Sequence, residues 1–443
     1  MPYEFTDSDF TLCKDIIQFY FENTDHKKSN AMWVALQDLI SEIGYGGRIT
    51  DDSDRKLLKI YASEFFCNDI FTPGWKPSGA IEYVYPDVQP KQQDEEKKLN
   101  VVGIIEELSK TLPHQDSCAI YGQHINAEIT SQIQYADDML SSLVTLQKGS
   151  IENRALLNED GLAKMLQEVL DMFIEEYDVD SIITKSKADA NNPLRFVMLQ
   201  EVNRYYLLGT LLKSLINEAL QAVRGLGNMT PHLESIVRLI SLGVTPKEFL
   251  VTYPSTKSFG SWVKDFKERY MYFKLWSESG MPRVTNMSMF SNPKGFMVAV
   301  LQRYSRKTNT PLDQLIIDFN FPGLTDKSTF EASKDGAYIK GLSLEGAKWD
   351  TDNNMLASSD TMKLICAMPI MLLKPVKKNK KPSAQAMYMC PCYYYPVRHQ
   401  VEGVDSFVCS IPLKCVDAPE NDANYWVKFW TKRGTAILVT TSE

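Results

Sequence analysis

The chain has 443 residues, of which 44% are hydrophobic and 23% charged, and a formal net charge of -8. That length suits roughly two or three domains, each able to bury a core, and the composition is that of a folded soluble protein. The acidic balance leaves neither nucleic acid nor a membrane surface an electrostatic footprint.

Along the chain, three helical patterns come first. Ser8 is placed to cap a helix running to about Phe21, Ser29 a second that ends near Gly44, and Thr50 or Asp51 a third running to about Cys67. In the third, Leu57, Leu58, Tyr61, Phe65 and Phe66 recur at helical spacing and predict one buried face. Residues 71–95 break the pattern with prolines, Gly74, Gly79 and a polar run, and read as a linker. From about residue 96 to 309 the chain is helical again. Ile129, Ile133, Ala136, Leu140 and Leu143 alternate steps of four and three, the stripe of a helix packed on its neighbours. Asn192-Pro193 opens the strongest element, with Met198, Val202, Tyr205, Leu208, Leu212, Leu215 and Ala219 on one face until Gly225 and Gly227. A helix carrying Phe259, Trp262, Phe266, Tyr270 and Phe273 follows and closes at Gly280, then one opened by Asn292-Pro293. After Pro311 the period changes: LDQLIIDF, GAYIKGLSL, MKLICAMPIMLL, AMYMCP, DSFVCSIPL and GTAILVT are short β-prone runs between turn residues. About six antiparallel strands there fit a small barrel or sandwich. The fold class is therefore α+β, with helices at 1–75 and 76–310 and a β region at 311–443.

Most motifs with chemical promise fail on spacing. Gly46-Gly47 precede Arg48 rather than a lysine, no GxxxxGK[ST] occurs, and Asp51, Asp52 and Asp54 occupy the helix start that a phosphate would take. WDTDNN (349–354) imitates a calcium loop but puts Met355 and Thr361 where glycine and glutamate belong, which leaves a polar turn. Cys390, Cys392, Cys409 and Cys415 lie in apparent strands without a CxxC knuckle, so strand-core cysteines are expected rather than zinc ligands. The eight cysteines form no dense framework, which favours a reducing compartment. His26, His114, His124, His232 and His399 form no HExxH or HxH, and no G-x-S-x-G is present. The basic cluster Lys374–Lys381 (KPVKKNKK) reads as a solvated hairpin loop. No signal peptide pattern opens the chain, and the longest apolar run, Leu364–Leu373, is half a bilayer span.

YGGRITDDSDRKLL (45–58) resembles the YGGRVTDDxDRRLL signature near the carboxyl end of dynein heavy chains, in the helical lid of the sixth AAA+ module. Further similarities follow in family order over nearly the whole sequence. GQHINAEI (122–129) is similar to GLHxNADI, Gln200-Glu201 with Arg204 to a glutamine–glutamate pair in a long helix, and YPSTKSFGSW (253–262) to YPSLKPLGSW. DGAYIKGLSLEGAKWD (335–350) resembles DGxYIxGLxLEGAxWD most specifically, and Cys390-Pro391 and WTKRG (430–434) echo the family's final strands. The sequence departs from the pattern at Gln123, at Ser53 and over 283–297, where most of the family's aromatics are missing. SNPKGF, CPCYYYPVR and FCNDIF lean towards the axonemal outer-arm gamma class.

The resemblance implies a lid of the sixth AAA+ module at 1–75, then a C-terminal domain of helices (76–310) and an incomplete β-barrel (311–443). Met1 would then begin a piece of a longer motor whose P-loop modules, with their ATP and magnesium, lie upstream. The piece itself would have no catalytic, cofactor or metal residues. It would brace the AAA+ ring and tune motor output in a cilium or flagellum, in a motor that meets microtubules and intermediate, light-intermediate and light chains. Gly46, Gly47, Asp51, Asp52, Asn126, Glu201, Gly346, Trp349, Arg433 and Gly434 carry the motifs as structural residues. Arg48 is the candidate contact to a neighbouring subdomain, because a guanidinium fork suits carboxylate or phosphate; pairing with nearby acids is the competing role. A stand-alone intracellular scaffold protein is the alternative function. A lid without its partner subdomain should also expose apolar surface in the first seventy residues.

Overall fold

The computed structural model describes residues 3–23, 30–72, 74–75, 118–146, 159–171, 192–253, 257–322, 335–378, 387–394, 406–416 and 424–440, with single positions 109, 182, 255 and 333. Most of the 71–95 linker, Ser29, His26, His114 and His399 lie outside the described residues. The helices are α1 (Asp7–Asn23), α2 (Asn30–Asp38), α3 (Asp52–Phe65), α4 (Ile125–Leu146), α5 (Glu159–Asp171), α6 (Pro193–Val223), α7 (Pro231–Ser241), α8 (Phe259–Ser279), α9 (Pro293–Thr308) and α10 (Tyr425–Lys432). Two compact units form: the first joins residues 1–133 to 358–364 and 417–435, and the second takes 134–357, 365–416 and 436–443.

In the first unit α1 starts one residue before Ser8. Thr6 is the cap: the Asp9 carboxylate reaches back to accept from its N–H (2.8 Å) and hydroxyl (2.9 Å). After α2 the helix widens into a π-turn, Leu39–Gly44, with Tyr45 N–H donating to Ile40 C=O at 3.0 Å. Cys13, Met32, Trp33, Leu36 and Ile40 form the core, and Trp33 Nε1 donates to Asn68 Oδ1 at 2.6 Å to bring in the end of the lid-like segment. Asp51, not Thr50, caps α3; its carboxylate accepts from Ser53 N (2.7 Å) and Asp54 N (3.2 Å). The predicted buried face of α3 is only half covered. Leu57, Leu58, Tyr61, Phe65 and Phe66 are all half-buried, and Ala62 is the residue of α3 that is fully buried.

In the second unit α6 is the spine. Asn192 caps it by accepting from Leu194 N (3.2 Å), and at about 1.5 Å per residue its 31 residues run roughly 46 Å. Met198, Val202, Tyr205, Leu208, Leu212 and Ala219 are buried as predicted, while Leu215 is half-buried and Ile216 takes the core position. α5, α7, α8 and α9 pack on α6. The α8 aromatics stack in series: Trp262 lies 5.6 Å from Phe266 and Phe273 6.0 Å from Trp276. Gly280 closes α8 at φ 88°. The expected packing of the α4 stripe is not found, since Ile133, Ala136 and Leu140 are exposed.

The strands number eleven among the described residues, more than the six expected: β1 (Val284–Asn286), β2 (Leu315–Asn320), β3 (Ala337–Lys340), β4 (Leu342–Glu345), β5 (Lys348–Asp350), β6 (Met355–Ala357), β7 (Ile365–Ala367), β8 (Met371–Lys377), β9 (Met387–Tyr394), β10 (Phe407–Lys414) and β11 (Ala436–Val439). They form a four-stranded sheet β1-β3-β8-β2, a five-stranded sheet β10-β9-β11-β4-β7 and the hairpin β5-β6. The arrangement is sandwich-like and not a closed barrel. Nor is it purely antiparallel, because β1 runs parallel to β3 and β11 to β9. On β9 the alternation is clean: Tyr388, Cys390, Cys392 and Tyr394 face inward, as expected of strand-core cysteines. WTKRG is not strand. Trp430 to Lys432 end α10, and Gly434 at φ 65° turns the backbone towards β11.

Candidate functional site

Two motif-bearing stretches and the loop 358–363, all distant in sequence, meet in the first unit. Asn126, 7% exposed near the start of α4, donates through Nδ2 to the carbonyls of Asp360 (3.1 Å) and Lys363 (3.0 Å). Its Oδ1 accepts from Met362 N–H at 2.9 Å. The amide thus clamps a loop in which Met362 holds φ at 67°, a left-handed conformation disfavoured for a residue with a Cβ. Beside it, His124 Nδ1 accepts from Asn126 N–H at 3.2 Å. Burial first, then the neighbouring Arg433 charge, hold its pKa below the ordinary histidine value against a backbone hydrogen bond at Ser359, so the ring is neutral around pH 7.

Arg433 donates to Ser358 Oγ at 3.2 Å and lies 4.2 Å over the Phe429 ring. Its neighbour Lys432 pairs with Glu64 of α3 at 2.8 Å, with side chains 15% and 30% exposed. Gly122 sits directly against that lysine at φ 68°; a Cβ there would lie 3.2 Å from Lys432 Nζ. Residues 122–126, 358–363 and 429–434 are therefore one assembly fastened to α3.

In the lid-like segment, Gly46 is required because a Cβ would overlap the Ser41 carbonyl, whereas Gly47 has open space around it. Asp52 is the exposed first residue of α3. Arg48 turns to α1: its Nε pairs with Asp9 Oδ2 at 2.7 Å and Nη2 reaches Thr6 Oγ1 at 3.3 Å. The Asp9 pKa lies below the usual carboxylate range, chiefly through the Thr6 N–H and with help from Arg48. An apolar groove of about 550 Å³ is lined by Ile17 of α1, Tyr45, and Leu58, Tyr61 and Phe65 of α3. Phe10, also at the groove, is 62% exposed, so the expected apolar surface of the first seventy residues is present.

In the second unit, Glu201 on α6 is buried, with its side chain 1% exposed. It accepts from Ser291 N (2.9 Å), Ser291 Oγ (2.9 Å) and Asn292 N (3.3 Å) and pairs with Arg204 (3.2 Å), which fixes the backbone where α9 begins. Burial raises its pKa, opposed by the Ser291 hydrogen bonds and Arg204. Gly346, at φ 71°, turns β4 into β5, and Trp349 is buried and stacks on Phe321 with centroids 4.3 Å apart. Asp350 closes the WDTDNN turn, accepting from Asp352 N (3.0 Å) and Asn353 Nδ2 (2.8 Å).

Sequence reasoning missed a buried polar centre on α8. Asp265 and Arg269 pair at 2.8 Å, Lys257 joins Asp265 at 3.3 Å, and the guanidinium lies 4.3 Å over Tyr253. Tyr205 and Tyr394 donate to the carbonyls of Met289 (2.9 Å) and Phe290 (3.0 Å), which fastens the aromatic-poor 283–297 stretch. The available signal was two charges spaced i, i+4 on the apolar stripe of Trp262, Phe266 and Phe273.

Comparison with known proteins divides the chain once along the sequence, so residues 358–363 and 429–434 of the first unit fall in the second match. Residues 133–439 match the C-terminal domain of dynein heavy chains, and residues 1–127 match the AAA lid domain of dynein heavy chains. The protein belongs to the dynein heavy chain family. It is 34% identical over 444 aligned residues to the dynein-1-beta heavy chain of the flagellar inner arm I1 complex of Chlamydomonas reinhardtii. Identity to the human dynein axonemal heavy chain 2 is also 34%, and to human dynein axonemal heavy chain 12 it is 28%. Each alignment covers 99% of the sequence, which spans only 9% of the first two relatives and 14% of the third. In dynein terms, Arg48, Asp51 and the groove are lid features, and Glu201, Gly346 and Trp349 belong to the C-terminal domain.

Proposed function

We propose that this protein is the non-catalytic C-terminal region of an axonemal dynein motor, bracing the AAA+ ring and adjusting its output in ciliary or flagellar movement. The observation that carries this reading is what the motif residues do with their polar groups. Asn126 bonds three backbone groups of a single loop, and Glu201 bonds the backbone at the start of α9. Those groups are committed to holding the protein's own backbone, the work of a scaffold rather than of chemistry on a substrate. ATP and Mg²⁺ belong, on this reading, to P-loop modules elsewhere in the heavy chain. Microtubules and the intermediate, light-intermediate and light chains are partners of the whole motor. The names of the relatives support axonemal localisation and give no support to a choice of the outer-arm gamma class.

The lid groove is the proposed seat for the part of the ring that precedes this region, and Arg48, half-exposed on Asp9, stands as the candidate contact to it. Two measurements test the reading. The purified protein should show ATP turnover no greater than a blank, and turnover that follows the protein through purification would overturn the non-catalytic assignment. Leu58→Asp and Phe65→Asp in the full heavy chain should weaken lid docking and lower microtubule gliding velocity. Unchanged velocity with both variants would remove the groove from the ring interface.

A further inference from the structure

β9 and β10 are antiparallel, and their register contains one irregularity. Phe407 lies opposite Tyr393, but the next pair is Cys409 with Cys392. A regular ladder would set Val408 opposite Cys392 and Cys409 opposite Pro391. The extra residue is a bulge, and its effect is to bring two cysteines side by side. Residues directly opposite in such a ladder have Cα atoms about 4.5–5.5 Å apart, within the roughly 4.4–6.8 Å that a disulfide spans. Both thiols are free. They differ in access: Cys392 is 2% exposed, whereas Cys409 is partly open to solvent. Cys390, two residues along β9, lies opposite Ile411 and is fully buried.

We propose that Cys392 and Cys409 form a reversible cross-strand disulfide, closed by a small-molecule disulfide of the glutathione class. The accessible Cys409 thiolate attacks one sulfur of oxidised glutathione, forming a mixed disulfide and releasing one glutathione thiolate. Cys392, after giving its proton to solvent, attacks the Cys409 sulfur and expels the second glutathione. Two protein thiols are oxidised, one small disulfide is reduced to two thiols, and a dithiol reductant reverses the exchange. Closure would tie β9 to β10 at the edge of the five-stranded sheet. The proposal is independent of the motor assignment, because it rests on the strand register alone.

The test is native incubation of the full 443-residue protein with oxidised glutathione at mildly alkaline pH, followed by non-reducing peptide mapping by mass spectrometry. The expected product is a peptide pair joined through Cys392 and Cys409, two hydrogens lighter than the sum and separated by dithiothreitol. Cys392→Ser should stop at a glutathione adduct on Cys409, and Cys409→Ser should leave position 392 unmodified. Wild-type protein that accumulates only the Cys409 adduct, leaves both thiols unmodified, or links Cys409 to Cys390 or Cys415 as readily as to Cys392 would overturn the proposal. The wild-type map decides the matter even if a serine variant fails to fold.

Discussion

Replacing Asn126 by alanine tests the assembly at the point where it is most concentrated. The substitution removes two donations, to Asp360 and Lys363 carbonyls, and one acceptance, from Met362 N–H. Each such bond contributes about 0.5–1.5 kcal/mol net, and a group left buried without a partner costs about 1–3 kcal/mol. Asp360, Met362 and Lys363 are exposed, so water can replace part of the loss and the lower values apply. The three bonds then give about 2–4 kcal/mol, acting on a loop whose Met362 is already at φ 67°. If the loop opens locally, its amide protection should fall by roughly 30-fold to several-hundred-fold. Hydrogen exchange on the peptide containing residues 358–364 measures this directly, and tryptic cleavage after Lys363 should accelerate in parallel. Asn126→Asp should be at least as damaging, since it removes both donors and aims a charge at two carbonyl oxygens. Should Asn126→Ala leave exchange at Met362 and cleavage at Lys363 unchanged, the clamp is not what holds the loop and the reasoning fails.

Gly46→Ala forces a Cβ into the Ser41 carbonyl and should destabilise the first unit by about 1–3 kcal/mol, whereas Gly47→Ala, with open space, should change the urea midpoint little. Asp51→Ala removes the cap of α3 and should cost about 1 kcal/mol in the same assay, most of it recovered by Asp51→Asn. Glu201 carries a pH signature. Its folded pKa is raised above the ordinary 4.5, so the native state holds the proton more tightly than the unfolded one. Its stabilising contribution is full below that ordinary value and declines as pH rises through the raised one. The stability difference between wild type and Glu201→Gln should therefore shrink with rising pH over that window; a flat difference in pH-stepped urea titrations would contradict the assigned direction.

Local signals were readable in the sequence where near neighbours decide them. Asp51, Asn192-Pro193, Asn292-Pro293 and Gly280 mark helix ends because the cap and the groups it satisfies lie within a few residues. Even so, Ser8 was displaced by Thr6, because the Asp9 carboxylate reaches back to Thr6 N–H. Stripes were less informative. They show that a helix has an apolar face but not what covers it, so Leu57, Leu58 and Tyr61 came out half-buried and Ile133 and Leu140 exposed. The clamp was invisible for a different reason: Asn126 and Asp360 are 234 residues apart, and no local pattern encodes their meeting. Only the resemblance singled out Asn126, without saying what its amide does.

YGGRITDDSDRKLL shows how a fold signature differs from a nucleotide site built from similar residues. In a phosphate-binding loop, glycines leave room for the anion and free N–H groups at a helix start donate to its oxygens. Here the missing Cβ of Gly46 makes room for the Ser41 carbonyl of the preceding π-turn, while Gly46's own carbonyl accepts from Ile49 N–H at 3.1 Å. The N–H groups of Ser53 and Asp54, where a phosphate would bind, already donate to the Asp51 carboxylate. Arg48, the cation that would complete such a site, is turned onto Asp9 of α1. The space at Gly46, the N–H groups of Ser53 and Asp54 and the Arg48 guanidinium are each taken up by the protein's own carbonyls and carboxylates, so the stretch serves to hold its own turn and helix start together.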